Sequence, residues 1–367
     1  MLKTIIKNIS NLPGWRTHRK IVVIESDDWG SIRMASNATY QKLLAAGLNL
    51  DKGDGARYSQ NDTLATSDDL SFLFETLHLV KDSTNHPAKI TAVSLTSNPD
   101  FEKIRASGFK DYFHEPFTTT LEKYNRQDAF LLWQQGIADN IFVPEFHGRE
   151  HLNVQPWLRA LQAGQKEALL AFDYGIWSYE QKKGIGFQAA FDLEFATDLE
   201  YQKAIITDGL KIFEKLHGYK AHFFVPPNGP INNQLEEVAS TGGIAFMSSP
   251  KIQKEALGEG KTKTHFRYLG KCNKFGQTYI TRNVFFEPSS GNTQEVEKCL
   301  SQIELAFKFK KPAVISSHRV NYVGGLSVSN RDKSLKQLKE LLIAIIKKWP
   351  EVEFMTSSEL GNTIRTY

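Results

Sequence analysis

The sequence predicts an α/β fold, a barrel of about seven parallel strands covered by helices. Three observations predict it. Short β-branched runs such as 21–24 and 313–315 alternate with helical segments, polar side chains follow where those runs end, and 367 residues are enough for one large barrel. We expect a lead-in over residues 1–19 and a single domain over 20–367. Loop insertions within that domain are expected at about 48–66, 173–197 and 251–278.

The composition is that of a globular protein. Hydrophobic residues make up 41% and charged residues 23%, and no apolar run is long enough to span a bilayer. The net charge of +4 comes from basic residues spread along the chain. We therefore expect neither a nucleic-acid partner nor a membrane span. Residues 1–20 lack the continuous apolar stretch of a secretory signal, so the expected location is cytoplasmic.

The helices and strands are predicted from the spacing of apolar residues and from the Gly, Pro and capping residues that interrupt it. Strands are predicted over residues 21–25, 89–95, 141–143, 221–225, 244–248, 279–286, 313–318 and 352–356. Helices are predicted over 37–48 and 67–80, late in 111–136, within 153–170, and over 198–217, 232–240, 293–308 and 333–349. The segments without a clear period are a loop at 48–61, an aromatic loop region at 173–179 and 187–193, and an exposed excursion at 251–274. Rings such as those of the aromatic loop belong to a core more often than to a sugar-binding surface.

Two adjacent aspartates, Asp27 and Asp28, follow the first strand. Carboxylates side by side at the end of a buried strand raise each other's pKa unless a cation binds there. A metal ion held by one of them would leave the other free to act as a base. The alternative is that one aspartate caps the helix predicted from Asn37.

Two histidines, His147 and His151, are separated by three residues. With this spacing, two imidazoles can lie on one face of a helical turn and bind a single metal ion. Alternatively they cap, pack or lie in solvent, which is the commoner role of an isolated pair. Cys272 and Cys299 are too few for a disulfide framework or a cysteine metal site, so nitrogen and oxygen ligands are expected for any metal.

The ends of parallel strands meet at one rim of a barrel, so these polar residues are expected to converge. Asp28, His147 and His151 would supply three ligands of an open hydrolytic metal site, whose bound water is the nucleophile. Asp27 would accept a proton from that water, and His318 would protonate the departing amine.

The turn after a later strand, Pro226-Pro227-Asn228-Gly229, is expected to expose a backbone N–H. The N–H of Asn228 is the most plausible donor to a developing oxyanion. We also expect Pro227 and Trp29 to contact the substrate.

From about residue 20 to residue 360 these motifs resemble the polysaccharide deacetylases, the NodB-homology or carbohydrate esterase family 4 group. The family's base, its three metal ligands and its acid correspond in order to Asp27, to Asp28, His147 and His151, and to His318. The resemblance implies a distorted (β/α) barrel and a divalent metal ion, usually zinc. It further implies hydrolysis of an N- or O-acetyl group on a saccharide.

The sequence departs from the family at the Pro-Pro turn. Val225 stands where the family has an arginine that orients the base, and Asn228 stands where it has an aromatic residue. The arginines in or near the motif segments are Arg33, Arg149, Arg282 and Arg319. We expect Arg282 or Arg319 to take over the missing role.

The family's aspartate and tryptophan that support the acid histidine are also missing after the turn. Glu287 is the candidate partner for His318. Arg149 and Glu150 lie between the two candidate histidine ligands and are expected to hold those ligands or to replace the missing arginine.

Three hypotheses of function remain open at this point. The first is a metal-dependent deacetylase acting on an N- or O-acetylated saccharide. The second is a hydrolase of a non-sugar amide or cyclic imide, because the departures lie in the substrate-facing turn. The third is a catalytically silent saccharide-binding domain, since fold analogy alone does not assign a substrate.

Overall fold

The computed structural model describes residues 12–53, 55–181 and 184–366. Its strands are β1 (Lys20–Trp29), β2 (Ile90–Leu95), β3 (Ser97–Pro99), β4 (His114–Pro116), β5 (Phe142–Gly148), β6 (Phe223–Phe224), β7 (Phe246–Ser248), β8 (Ile252–Gly258), β9 (Lys261–Phe266), β10 (Thr278–Ile280), β11 (Val284–Phe285), β12 (Ala313–His318) and β13 (Val352–Met355). Its helices are α1 (Asn37–Ala45), α2 (Ala56–Asn61), α3 (Ser67–His78), α4 (Phe101–Ala106), α5 (Phe117–Lys123), α6 (Ala129–Ala138), α7 (Val154–Gln162), α8 (Lys166–Asp173), α9 (Asp198–His217), α10 (Leu235–Thr241), α11 (Glu295–Lys308), α12 (Val328–Lys348) and α13 (Ser357–Thr366).

Nine strands form one parallel sheet, which is curled into a distorted barrel. The strand order is β10-β7-β6-β5-β2-β1-β12-β11, with β13 beside β1. The two edge strands, β10 and β11, share no ladder within the described residues but are joined by residues 281–283 alone. Such a link spans at most about 14 Å. The predicted barrel of parallel strands is therefore confirmed, with nine strands instead of about seven.

Alternate side chains of β1 enter two different cores. Ile21 and Val23 belong to a cluster shared with residues of five other strands around the ring, which places it inside the curled sheet. Val22 and Ile24 belong to a cluster beneath the helices. Because side chains alternate along a strand, the inner row continues from Val23 to Glu25 and then to Asp27. The carboxyl end of β1 thus carries acidic groups into the barrel.

Three segments differ from their sequence prediction. Residues 48–61 are not all loop, because they contain α2. The strand predicted over 279–286 is broken at 281–283, where the side-chain oxygen of Asn283 accepts the N–H of Val314 at 2.9 Å. The Asn283 side chain accepts the N–H that a backbone carbonyl of a neighbouring strand would accept in a regular sheet. Arg282 therefore lies in a link between two strands and not within a strand. The excursion at 251–274 carries the antiparallel hairpin of β8 and β9.

A helix and a strand that matter for the site lie where the sequence predicts them. α9 covers Asp198–His217 and ends at Gly218, which is left-handed with a φ of 78°. β12 covers Ala313–His318. Among the helices of the described residues, none has the length and apolar character needed to cross a membrane.

Candidate metal centre and active site

Asp27 and Asp28 both line one cavity of about 570 Å³. In a regular strand, successive side chains point to opposite faces. Here the backbone of Asp28 is left-handed, with a φ of 75°, and the pairing of β1 with β2 shifts register at this point. This irregularity brings both carboxylates to the same cavity. Neither aspartate caps α1, because the hydroxyl of Ser36 accepts the N–H of Thr39 in that role.

Asp27 is held by Arg282. The guanidinium donates to both carboxylate oxygens of Asp27, at 2.7 and 2.6 Å, and its Nε donates to Glu25 at 2.5 Å. Burial alone raises the pKa of Asp27, but the guanidinium outweighs it, so that the pKa lies below its ordinary value. Asp27 is therefore ionised at neutral pH. Arg282 occupies the break between β10 and β11.

Asp28 faces the two histidines. Its Oδ1 lies 3.4 Å from Nε2 of His147 and 3.2 Å from Nε2 of His151, and all three side chains are 2% exposed. These three form a group whose ligand atoms lie close enough together to hold one metal ion. Zinc binds nitrogen and oxygen at about 2.1 Å, which puts tetrahedral ligand atoms about 3.4 Å apart. The observed spacing fits such an ion.

The hydrogen bonding of His147 and the pKa of His151 also fit a metal ion. Nδ1 of His147 donates to the carbonyl of Val225 at 2.7 Å, so Nε2 is the ring nitrogen that faces Asp28. Burial, together with the nearby Arg33, lowers the pKa of His151 to about 4. Its ring is neutral at neutral pH and has a lone pair to donate.

The histidines do not lie on a helical turn, and that expectation is wrong. His147 is in β5, and His151 lies in the loop before α7 begins at Val154. Gly148 has a φ of 121°, and the carbonyl of Arg149 accepts backbone N–H groups from a neighbouring segment. These features hold the chain out of helical geometry, and the loop itself brings the two rings together.

Arg33 holds the other oxygen of Asp28. Its NH2 donates to Oδ2 of Asp28 at 3.2 Å, and its Nε lies 3.3 Å from Asp62. Asp62 in turn accepts from Arg319 at 2.8 Å, and both of these side chains are completely buried. Since Oδ2 is occupied by Arg33, Oδ1 is left to face the histidines.

His318 lies across the cavity beside Asp27. Its Nδ1 donates to Glu287 at 2.5 Å, and its Nε2 is 3.9 Å from Oδ2 of Asp27. Burial alone lowers the pKa of His318, but the Glu287 carboxylate outweighs it, so that the pKa lies above its ordinary value. The structure thus places the predicted partner, Glu287, on His318.

The Pro-Pro turn reaches the cavity through only some of its residues. Pro226, Asn228 and Gly229 line the cavity, and Asn228 is left-handed with a φ of 55°. Pro227 is buried beside them and does not line the cavity, so its predicted substrate contact is wrong.

Trp29 is not a substrate-binding residue either. It is 1% exposed, its Nε1 donates to Ser26 at 2.9 Å, and its ring packs edge-on against Phe142 at 4.8 Å. After the irregularity at Asp28 the chain turns Trp29 into the core beneath the helices.

Two of the candidate arginines do not reach Asp27. Arg149 pairs with Glu150 at 2.6 Å and with Asp208 at 3.0 Å. Arg319 pairs with Asp62. Neither replaces the missing family arginine; Arg282 is the one that contacts the aspartate.

The aromatic loop packs mainly into the core, as predicted. Trp177, Phe187 and Phe191 are buried in the cluster that also contains Phe146 of β5. The Trp177 ring lies nearly parallel to that of His151, with centroids 6.0 Å apart. The loop therefore supports a candidate ligand from behind.

Sequence reasoning missed three polar residues of the site. Arg57 and Tyr58 lie on α2 and contact each other; Arg57 also binds Glu287, and the Tyr58 ring meets that of His318. Asp62 is buried between two arginines. All three lie at or just after a polar segment that was predicted to be a loop. No local pattern distinguishes them, because their partners are distant in the chain.

Comparison with solved structures shows similarity in fold. The chain is similar to a protein assigned as a polysaccharide deacetylase from Mycobacterium smegmatis, with a TM-score of 0.45 and 12% identity over 96% of this chain and 93% of that one. In fold, the chain is similar to polysaccharide deacetylases. A Puue allantoinase has a TM-score of 0.46 and 9% identity over 95% of this chain and 93% of its own. A carbohydrate esterase family 4 pseudoenzyme from Bacillus anthracis has a TM-score of 0.38 and 10% identity over 93% of this chain and 65% of its own.

No protein-family model and no curated protein sequence matches the chain. The TM-scores of these three structures lie below 0.5. Function is therefore inferred from the chain's own side chains.

Metal binding tests the grouping of Asp28 with the histidines. The metal-free protein is expected to bind one Zn²⁺ per chain, and Asp28→Ala or His151→Ala should weaken binding by roughly 100-fold or more. Titration calorimetry measures both. His222→Ala is the control, since His222 is an exposed histidine outside the cluster. Equal affinity in the wild type and in both ligand variants would show that the metal binds elsewhere.

Proposed function

We propose that the protein is a metal-dependent hydrolase that removes an acetyl group from an N-acetylated or O-acetylated saccharide. One observation carries the proposal: two adjacent aspartates share a cavity but have different partners. Asp27 is held by Arg282, whereas Asp28 faces two histidines. Titratable groups whose surroundings differ in this way are suited to separate chemical roles.

The proposed metal is a divalent ion, zinc, held by Asp28, His147 and His151. When bound, such an ion polarises an acyl oxygen and lowers the pKa of water. The buried setting, the lowered pKa of His151 and the nitrogen and oxygen donors support this assignment.

Asp27 is the proposed general base. Both of its oxygens accept from Arg282, and each keeps a second lone pair that can accept a proton from water. The guanidinium holds the carboxylate in one orientation and keeps it ionised. Arg282 would thus perform the task for which Val225 has no suitable side chain.

His318 is the proposed general acid. Its Nδ1–H is engaged by Glu287, so its Nε2–H is the proton available to the cavity. In the proposed reaction the oxygen of water bonds to the acyl carbon, and a water proton passes to Asp27. His318 gives its proton to the leaving nitrogen as the C–N bond breaks, which yields acetate and a free amine.

Asn228 is the proposed donor to the developing oxyanion. Within its turn, the N–H of Gly229 donates to the carbonyl of Pro226 at 3.1 Å, so the N–H of Asn228 is not used for that bond. The left-handed backbone of Asn228 lies at the cavity wall. This position supports a donor role.

Acetate release is the direct assay. Chitooligosaccharides with Zn²⁺ are expected to yield acetate, and Asp27→Asn or His318→Ala should lower kcat by about 100-fold or more, because each removes one proton-transfer group. His222→Ala again provides the control. Ring opening of a cyclic imide without acetate release would favour the second hypothesis. Saccharide binding without turnover under several metals would favour a silent binding domain.

The pH dependence has a definite sign. Activity requires ionised Asp27 and protonated His318. The pKa of Asp27 lies below the ordinary 3.8 and that of His318 above the ordinary 6.5, so kcat/KM should fall only outside that window. Glu287→Gln removes the negative charge that raises the His318 pKa, so the alkaline limb should move to lower pH while the acid limb stays. Glu353→Gln, in a pair with Arg19, is the control. An unmoved alkaline limb would show that His318 is not the acid.

A further inference from the structure

α2 lies beside the proposed acid although it adds nothing to the hydrophobic core. None of its residues is buried, yet it carries Arg57 and Tyr58. Both side chains contact the pair formed by Glu287 and His318. A short helix without a buried face is held by its polar contacts.

Arg57 binds the oxygen of Glu287 that His318 leaves free. Its NH1 donates to Oε2 of Glu287 at 2.6 Å and to the hydroxyl of Ser289 at 3.0 Å. Asn321 donates to the same Oε2 at 3.0 Å. Oε1 is left for Nδ1 of His318, so the carboxylate is fixed at both ends.

Tyr58 links this pair to the metal side of the cavity. Its hydroxyl accepts from Arg57 at 2.7 Å, and its ring meets the His318 ring edge-on at 5.6 Å. The guanidinium of Arg33, which holds Asp28, lies 4.9 Å from the centre of the same ring. Tyr58 also lines the cavity.

We propose that Arg57 is a positioning residue for the general acid. Through Glu287 it fixes the ring of His318 so that Nε2–H is directed at the leaving atom. The inference rests on the proposed function and adds a residue from a separate segment to its machinery. A small displacement of a proton donor lowers the reaction rate by a large factor. The contact of Arg57 with Glu287 therefore affects the step in which His318 protonates the leaving group.

A purely structural role is the competing explanation. The side chain of Arg57 is 21% exposed, and that of Glu287, its ion-pair partner, is 15% exposed. Removing one partner of so shielded a pair costs stability, so thermal unfolding is measured for each variant alongside its rates. Because α2 contributes nothing to the core, loss of Arg57 is expected to leave the core intact and to weaken only the attachment of α2.

The test compares two leaving groups. An N-acetyl amide needs a proton on nitrogen, whereas the phenolate of 4-nitrophenyl acetate leaves without one. For Arg57→Gln we expect kcat on chitotetraose to fall about 10-fold with KM unchanged, while ester hydrolysis stays at the wild-type rate. Arg57→Lys should restore part of the loss. Combined with His318→Ala, Arg57→Gln should cause no further loss, because both act on one step.

The control is Arg105→Gln, which breaks an exposed ion pair with Asp173 outside the cavity. An equal fall for amide and ester in Arg57→Gln would overturn the proposal, and so would full additivity with His318→Ala. If the wild-type protein hydrolyses neither substrate, the proposed function fails, and proton NMR then decides the positioning role. A downfield His318 Nδ1 proton that is lost in Arg57→Gln supports the role, and an unchanged resonance overturns it.

Discussion

The left-handed backbone of Asp28 is the constraint on which the rest of the site depends. A regular strand would send Asp27 into the barrel and Asp28 to the opposite face. A φ of 75° in a residue other than glycine costs free energy and persists only where the surroundings hold it. Here Arg33 donates to one oxygen of the Asp28 carboxylate, and a metal ion shared with the two histidines would hold the other oxygen. The strained residue is thereby stabilised by the groups that give it a chemical role.

Two adjacent buried carboxylates are stable only if each has its own cation. Arg282 serves Asp27, and it comes from the three-residue link between the edge strands β10 and β11. Arg33 serves Asp28, and Asp62 with Arg319 holds Arg33 from behind. The irregularity of the barrel is therefore connected to its chemistry, since a continuous strand over 279–286 would leave no loop to carry Arg282.

Features marked by local patterns could be predicted from the sequence. The apolar run before Asp27 and the strand that ends at His318 placed both residues at one rim, and Gly218 marked the end of α9. Features that depend on residues distant in the chain could not be predicted from the sequence. The sequence left Arg282 and Arg319 as equal candidates, because only the folded chain shows that Arg319 pairs with Asp62. The predicted role of Trp29 is wrong because the backbone turn at Asp28, whose side chain is held by the distant Arg33, decides the direction of the tryptophan.

Anomalous diffraction from crystals grown with zinc tests the account most directly. Data collected on both sides of the zinc absorption edge should show one peak about 2.1 Å from Oδ1 of Asp28 and from Nε2 of His147 and His151. Arg33 should remain on Oδ2, and Asp27 should stay paired with Arg282 outside the coordination sphere. A peak elsewhere, or a metal bound by Asp27 in place of Asp28, would contradict the division of roles between the two aspartates.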